Sequence, residues 1–288
     1  MNSKTSVALG MFDGVHKGHI EVIKSALSQE HLQPAVFTFR VLQNNKECIL
    51  PYKTKFDTLR AAGIQSIYSS DFEGVRHLSP EEFVRQILIE RMDCAHVSCG
   101  QSFRFAKDAK ADCDDLKRIC STHGIEVNVV QPVSVAGEVV SSTRIRKAIK
   151  DGNISLANEM LGRELTYELE VVEGAKLGRT LGAPTINQII PSDCVLPKFG
   201  VYKSQVVVDV IRYTAVTNIG IKPTVTSADS PIVETYIPGF NMEIYGQTVK
   251  VSLLDFIREE RKFSSVDELK EQIQIDVREA CGVKQGLQ

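Results

Sequence analysis

The chain has 288 residues, 43% hydrophobic and 24% charged, which is the composition of a soluble globular protein with room for two domains of ordinary size. Lys+Arg 34 against Asp+Glu 36 gives a formal net charge of −2. That balance excludes a general polyanion binder, because non-specific nucleic-acid affinity needs a clustered basic surface.

Residues 5–11 are apolar and strand-like, and Ile20, Ile23 and Leu27 then recur at helical spacing. Residues 35–39 read as a second strand. Residues 53–62 read as a helix with Phe56 and Leu59 on its inner face, stopped by Gly63. A strand at 66–69 follows. The run Ser79-Pro80-Glu81-Glu82-Phe83 opens the clearest helix, with Ser79 as N-cap, Pro80 at the first helical position and Phe83, Ile87 and Leu88 as the inner stripe. A strand at 95–99, a helix at 113–122 and a strand at 125–130 complete the alternation. Strands and helices in turn imply a parallel sheet covered on both faces, with ligands at the carboxyl ends of its strands.

After residues 161–165 the rhythm changes. Residues 167–172, 200–208, 214–219 and 248–253 are β-branched, strand-like and separated by Gly, Pro and Asn turns. One helix stands near the end, with Ser265 and Glu268 as a capping box and Leu269, Ile273 and Val277 as its apolar face. Short strands plus a terminal helix suggest a small closed or nearly closed β-barrel. The seven cysteines are odd in number and contain no CxxC pair. No apolar run nears the ~20 residues that span a bilayer, and no signal-peptide pattern opens the chain. The expectation is a cytoplasmic protein with reduced, mostly buried thiols. Its partners would be small molecules, with no nucleic acid, no membrane and no obligate protein partner.

Between the first strand and its helix lies Gly10-Met11-Phe12-Asp13-Gly14-Val15-His16-Lys17-Gly18-His19. A helix N-terminus attracts anions through unpaired N–H groups and the macrodipole, and Gly14 and Gly18 would let a phosphate approach the backbone closely. His16 and His19 are spaced to share one face of the first helical turn and to donate to the same phosphoryl oxygens. That suits phosphoryl or nucleotidyl transfer, in which the protein mainly stabilises developing charge. Two incidental surface histidines, or a metal pair lacking further Cys or His ligands, are the rival readings. GxxxxGK[ST] does not occur, which excludes a Walker P-loop. Ser141, Ser142 and Thr143, followed by Arg144 and Arg146, form a second hydroxyl- and arginine-rich helix start suited to a polyphosphate.

With His16-Lys17-Gly18-His19 and Ser141-Ser142-Thr143-Arg144-Ile145-Arg146 in this order, the sequence resembles the bacterial bifunctional riboflavin kinase/FMN adenylyltransferase (FAD synthetase) family. Leu78-Ser79-Pro80-Glu81-Glu82-Phe83, Cys99-Gly100-Gln101-Ser102-Phe103 and Leu161-Gly162-Arg163-Glu164-Leu165 fall where that family has similar segments. Residues 178–187, beginning Gly178-Arg179 and ending Pro184-Thr185-Ile186-Asn187, resemble its riboflavin-kinase signature.

The resemblance implies a Rossmann-like α/β nucleotidyltransferase domain of the HxGH superfamily at 1–162 and a riboflavin kinase-like β-barrel with a terminal helix at 163–288. It implies phosphorylation of riboflavin to FMN, then adenylylation of FMN to FAD, with ATP and Mg²⁺. His16, His19 and Arg146 would act in the first domain, with Gly10, Phe12, Asp13, Gly14, Gly18, Ser141, Ser142, Thr143 and Arg144 around the phosphates. Glu234 would be the kinase base, Thr185 and Asn187 would meet the metal, and Gly178 and Pro184 would lie at the ATP. The family's Asp-Pro-His-Pro is replaced by Arg40-Val41-Leu42-Gln43, and Ala106, Ala183, Ile186 and Gly239 also depart from its pattern. The alternatives are an adenylyltransferase with a degenerate kinase domain, the same fold with a different acceptor, or a non-catalytic flavin or nucleotide sensor.

Overall fold

The computed structural model describes residues 4–40, 47–174, 184–221 and 231–282. By internal contact the chain divides into two compact units, Met1–Ser142 and Thr143–Gln288.

The first unit is built on a five-stranded parallel sheet: β1 (Thr5–Leu9), β2 (Gln33–Phe39), β3 (Ser66–Ser70), β4 (Cys94–Gly100) and β5 (Glu126–Val130). Its order is β3-β2-β1-β4-β5, so the apolar β1 lies at the centre, parallel to β2 on one side and β4 on the other. Alternate residues serve opposite faces. Val7, Leu9, Ala35 and Phe37 pack with Phe83, Leu88 and Leu116, whereas Ala8 and Val36 pack with Ile23, Ala26 and Leu59. The first group belongs to α3 (Pro80–Phe83), its continuation Val84–Arg91, and α4 (Cys113–Ser121); the second belongs to α1 (Lys17–Leu27) and α2 (Tyr52–Ala61). A short hairpin, β6 (Ser134–Val135) and β7 (Glu138–Val139), closes the unit. Five cysteines (Cys94, Cys99, Cys113, Cys120 and Cys194) are buried.

Two sequence expectations change here. The helix after Ser79 has the expected capping box, with Glu82 bonding back to Ser79, but Val84–Arg91 is π-helical rather than α-helical. Its buried residues are Val84, Ile87 and Leu88, which with Phe83 before them keep the expected inner stripe. In α2 the buried positions are Lys55 and Leu59, not Phe56 and Leu59. Phe56 instead lies against Tyr52, with ring centroids 4.2 Å apart.

The chain passes from the first unit to the second within α5 (Ser142–Lys150), followed by α6 (Ile154–Leu161), which sequence periodicity did not reveal. Then come β8 (Leu165–Glu170), β9 (Thr185–Ile189), β10 (Gly200–Val208), β11 (Ile211–Ile221), β12 (Pro231–Tyr236), β13 (Thr248–Arg258) and α7 (Val266–Ala280). The six strands form one antiparallel sheet in the order β8-β13-β10-β11-β12-β9. The sheet curls until its edges meet: beyond β8, the Val172 amide donates to the Asn187 carbonyl on β9 at 2.8 Å. Inside, Gln188 Nε2 donates to Leu169 O and Val249 O at 2.6 and 2.9 Å, so a polar side chain joins both edges. Ser204, Thr217 and Thr235 form a buried hydroxyl chain at 2.7 and 2.9 Å.

Helix α7 packs on β10 and β11, where Val277 and Ala280 meet Val201 and Val216. Its fully buried positions include Gln272 and Asp276 rather than the expected Leu269 and Ile273, which are half-buried. Asp276 accepts from Arg258 Nε and Nη2 at 3.0 and 2.7 Å and from Gln272 Nε2 at 2.7 Å, so a forked ion pair seats the helix. Ser265 caps the helix by accepting from the Glu268 amide, but the Glu268 carboxylate reaches Ser264, one residue before the cap.

The tip between β10 and β11 is strained. Asp209 and Val210 have φ of 46° and 66°, the left-handed pair of a tight hairpin turn, and Val210 is 95% exposed. A β-branched residue pays sterically there and gains no packing. Val210→Gly is therefore expected to stabilise the protein by about 1 kcal/mol in urea unfolding. A lowered midpoint would show that Val210 contributes contacts that outweigh its strain.

Candidate functional site

Strand order reverses between β1 and β4, and a crevice at the carboxyl ends of the strands forms at such a point. The stretch after β1 leaves from that end. Phe12, Gly14 and Val15 have φ of 50°, 77° and 42°, so the chain makes a left-handed turn before α1. It is anchored by burying Phe12 and Val15 completely in the core. A Cβ on Gly14 would stand 2.9 Å from Ile49 Cδ1, so both space and φ require glycine there. Gly10 lies under the Phe12 ring, where a Cβ would approach to 3.2 Å.

His16 is the N-cap of α1 rather than a residue of its first turn, and its Nδ1 accepts from the His19 amide at 3.3 Å. An accepting Nδ1 puts the proton of neutral His16 on Nε2, where it can be donated. The His16 and His19 rings stack with centroids 3.6 Å apart. A Cβ on Gly18 would come within 3.3 Å of the His16 ring, so Gly18 gives that ring its room. The Asp13 carboxylate is buried and occupied, its Oδ1 accepting from the Ile49 amide at 2.8 Å. Ser142 Oγ donates to the Asp13 carbonyl at 3.0 Å. The turn and the start of α5 are thereby tied together. Arg146 lies one helical turn beyond Ser142, on the same side of α5, with Arg144 between them.

Lys55, which no sequence signal singled out, is buried behind this turn. Its Nζ donates to Thr38 Oγ1 at 2.8 Å and to Phe39 O at 2.9 Å. Burial pushes the ammonium down to about 8, against the opposing pull of Asp13 and Cys48.

In the second unit Asn187, Glu234 and Asn218 stand opposite one another across β9, β12 and β11. Directly paired residues point to the same face, so the three form a polar row, with Thr185 two residues along β9. Their neighbours Gln188, Thr235 and Thr217 face inward and are buried, which places the row on the outer face of the curled sheet. Asn218 Nδ2 donates to Glu260 Oε1 at 3.0 Å. A Cβ on Gly174 would collide with the Asn187 amide at 2.4 Å, and one on Gly220 with Glu260 Oε1 at 2.2 Å. Sequence reading missed Asn218, Glu260, Gly174 and Gly220, because Asn218 meets Glu234 only through register, and the others meet Asn218, Glu260 or Asn187 only in the folded chain. Pro184 immediately precedes β9; Gly178 and residues 41–43 lie outside the described residues.

The family model for FAD synthetase matches residues 1–144, and the model for riboflavin kinase matches 161–283. The bifunctional riboflavin kinase/FMN adenylyltransferase of Bacillus subtilis (strain 168) is 35% identical, over 96% of this chain and 92% of its own. The same-named protein of Listeria monocytogenes is 34% identical, over 94% and 89%. A crystal structure titled macrolide-efflux protein, from Streptococcus pneumoniae, superposes with a TM-score of 0.87 at 34% identity, covering 96% of this chain and 93% of that one. The efflux in that title describes that protein; among the described residues here, no helix is long and apolar enough to cross a membrane.

The anchored turn makes a stability prediction. Gly14→Ala adds left-handed strain and a clash with Ile49, and is expected to cost at least about 1–2 kcal/mol in equilibrium unfolding. An unchanged midpoint would mean that the turn relaxes freely.

Proposed function

We propose how this chain, which belongs to the bifunctional riboflavin kinase/FMN adenylyltransferase family, distributes its two chemistries. It is an enzyme of FAD biosynthesis that phosphorylates riboflavin to FMN and adenylylates FMN to FAD. Relatives named for both activities match nearly its whole length, so a degenerate kinase domain or a non-catalytic sensor is not favoured.

Adenylyl transfer is assigned to residues 1–162, read as an HxGH nucleotidyltransferase domain of Rossmann type. The observation that carries this is the His16-Lys17-Gly18-His19 turn at the switch point of the parallel sheet, tied to the start of α5 through Ser142. A phosphate oxygen of FMN attacks the α-phosphorus of ATP, the bond to the bridging oxygen breaks, and pyrophosphate leaves. His16 Nε2–H, His19, Arg144 and Arg146 stabilise the charge that shifts onto the leaving group. Gly10, Gly14 and Gly18 let the phosphates reach the backbone, and Phe12 and Asp13 shape the turn from their buried positions. Ser141, Ser142 and Thr143 present α5's N-terminus to the anion. On this division α5 and α6 serve the first chemistry, although by contact they group with the second unit.

Riboflavin phosphorylation is assigned to residues 163–288. Glu234 takes the proton from the ribityl hydroxyl as that oxygen attacks the γ-phosphorus of ATP and ADP leaves. Gly178 and Pro184 would border the ATP. The Thr185 hydroxyl, Asn187 carboxamide and Glu234 carboxylate are hard oxygen donors on one face, a set that fits Mg²⁺. Thr185 and Asn187 would hold the ion, which would neutralise phosphate charge. Both reactions use small molecules available in the cytoplasm, and neither requires a nucleic acid, a membrane or an obligate protein partner.

The test is to incubate protein with Mg-ATP and either FMN or riboflavin and to separate the flavins by chromatography. His19→Ala is expected to lower FAD formation by about a hundredfold or more while FMN formation continues. A near-normal FAD rate would remove His19 from the mechanism. Glu234→Gln is expected to do the reverse, lowering FMN formation by about a hundredfold or more with adenylyl transfer intact. Loss of both activities in either variant would sink the division of labour.

A further inference from the structure

Lys55 is 5% exposed, an unusual position for an ammonium, and neither reaction above uses it. Its Nζ donates to Thr38 Oγ1, and that hydroxyl in turn donates to the Met11 carbonyl at 2.9 Å. Met11 opens the left-handed turn. Two residues on, the buried Asp13 is the acid whose charge bears on Lys55, and Asp13 itself holds Ile49 N and receives Ser142. One buried cation is thus coupled to the turn through a hydrogen-bond relay at Met11 and through charge at Asp13.

We propose that Lys55 is a positioning residue for adenylyl transfer, its ammonium holding the turn at residues 11–15 in the geometry that receives the phosphates. This rests on the reading of that turn as the adenylyl-transfer site. Lys55 acts through Thr38 and Asp13 rather than on the reacting atoms. Losing its proton removes the countercharge to the buried Asp13 carboxylate and weakens the donor to Thr38. Among the described residues the titratable groups facing it are Asp13 from the turn and Cys48 from the chain before α2; from β2 it meets the neutral Thr38 hydroxyl and Phe39 carbonyl.

Burial lowers Lys55 from 10.5 to about 8. FAD formation should therefore fall as pH rises through about 8. The stability linkage has the opposite sign. Burying the charge costs the fold fully below pH 8, and that cost fades as pH rises from about 8 towards 10.5. Activity is thus lost in a window where this group's contribution to stability improves, which unfolding does not mimic.

The experiment measures FAD formation from FMN between about pH 6 and pH 9.5 for the full-length wild type, Lys55→Arg and Lys55→Gln. Riboflavin phosphorylation and the thermal midpoint are followed on the same samples. In the wild type the FAD rate is expected to drop about tenfold per pH unit above the limb. Lys55→Arg should retain activity with the limb moved beyond the range, since guanidinium stays charged. Lys55→Gln should lose about tenfold or more at neutral pH and show no limb, with riboflavin phosphorylation kept. A wild-type limb in either variant, or a wild-type neutral rate in Lys55→Gln, overturns the proposal. If Lys55→Gln unfolds, the position of the limb in Lys55→Arg decides. A wild type that makes FMN but no FAD would instead sink the assignment of the turn.

Discussion

The first unit depends on one constraint: β1 must be buried on both faces and flanked by parallel neighbours on both sides. Such a strand has no edge and no solvent face, so Val7, Ala8 and Leu9 are apolar and the buried polar Thr5 and Ser6 are hydrogen-bonded, to the Met92 carbonyl and to His96 Nδ1. Its neighbours are reached by crossovers on opposite sides, the arrangement in which ligands bind beyond the carboxyl ends of the strands. The turn that follows inherits this rigidity. Phe12 and Val15 extend the core into the turn, and with them sunk there Gly14 takes its left-handed position and His16 its capping position, both themselves buried. The geometry of the turn is set by packing.

The second unit meets the edge problem of β structure differently. An open six-stranded sheet has two edges; here they approach one another and share Gln188 and the Val172–Asn187 bond. The strands carry the polar row of Asn187, Glu234 and Asn218 on one face and packing residues on the other, with a hydroxyl chain rather than a wholly apolar filling. Arg258, at the end of β13, reaches Asp276 on α7, while Glu260 two residues later reaches Asn218 beside Glu234. The same stretch of chain seats the terminal helix and borders the polar row.

Most of the architecture was legible in the sequence because it is written locally. The alternation of strands and helices, the Ser79 cap, the glycine-flanked histidines and the change of rhythm after residue 165 each arise from neighbours within a few positions. What escaped was made by distant pairs. Lys55 reads as an ordinary surface lysine until β2 places Thr38 and Phe39 against it. Asp276 reads as the polar side of an amphipathic helix until β13 delivers Arg258. Asn218 acquires meaning only through strand register, and Gly174 only where the chain beyond β8 meets Asn187. The spacing of His16 and His19 is visible in the sequence, but the capping role of His16 and the ring stacking needed the backbone.

The strand order of the second sheet also sets a timetable for synthesis. All five strands of the parallel sheet lie within the first 130 residues, so it can form while the remainder of the chain is still being translated. The curled sheet has no such freedom. Its first strand, β8, pairs with its last, β13, and β13 is also the neighbour of β10. Until residues near 258 leave the ribosome, β8 and one side of β10 have no partner, and the Arg258–Asp276 lock waits for the final helix. The nascent enzyme is thus a finished sheet trailing an unfinished one, and a ribosome stalled late in the message leaves the second exposed while the first is already whole.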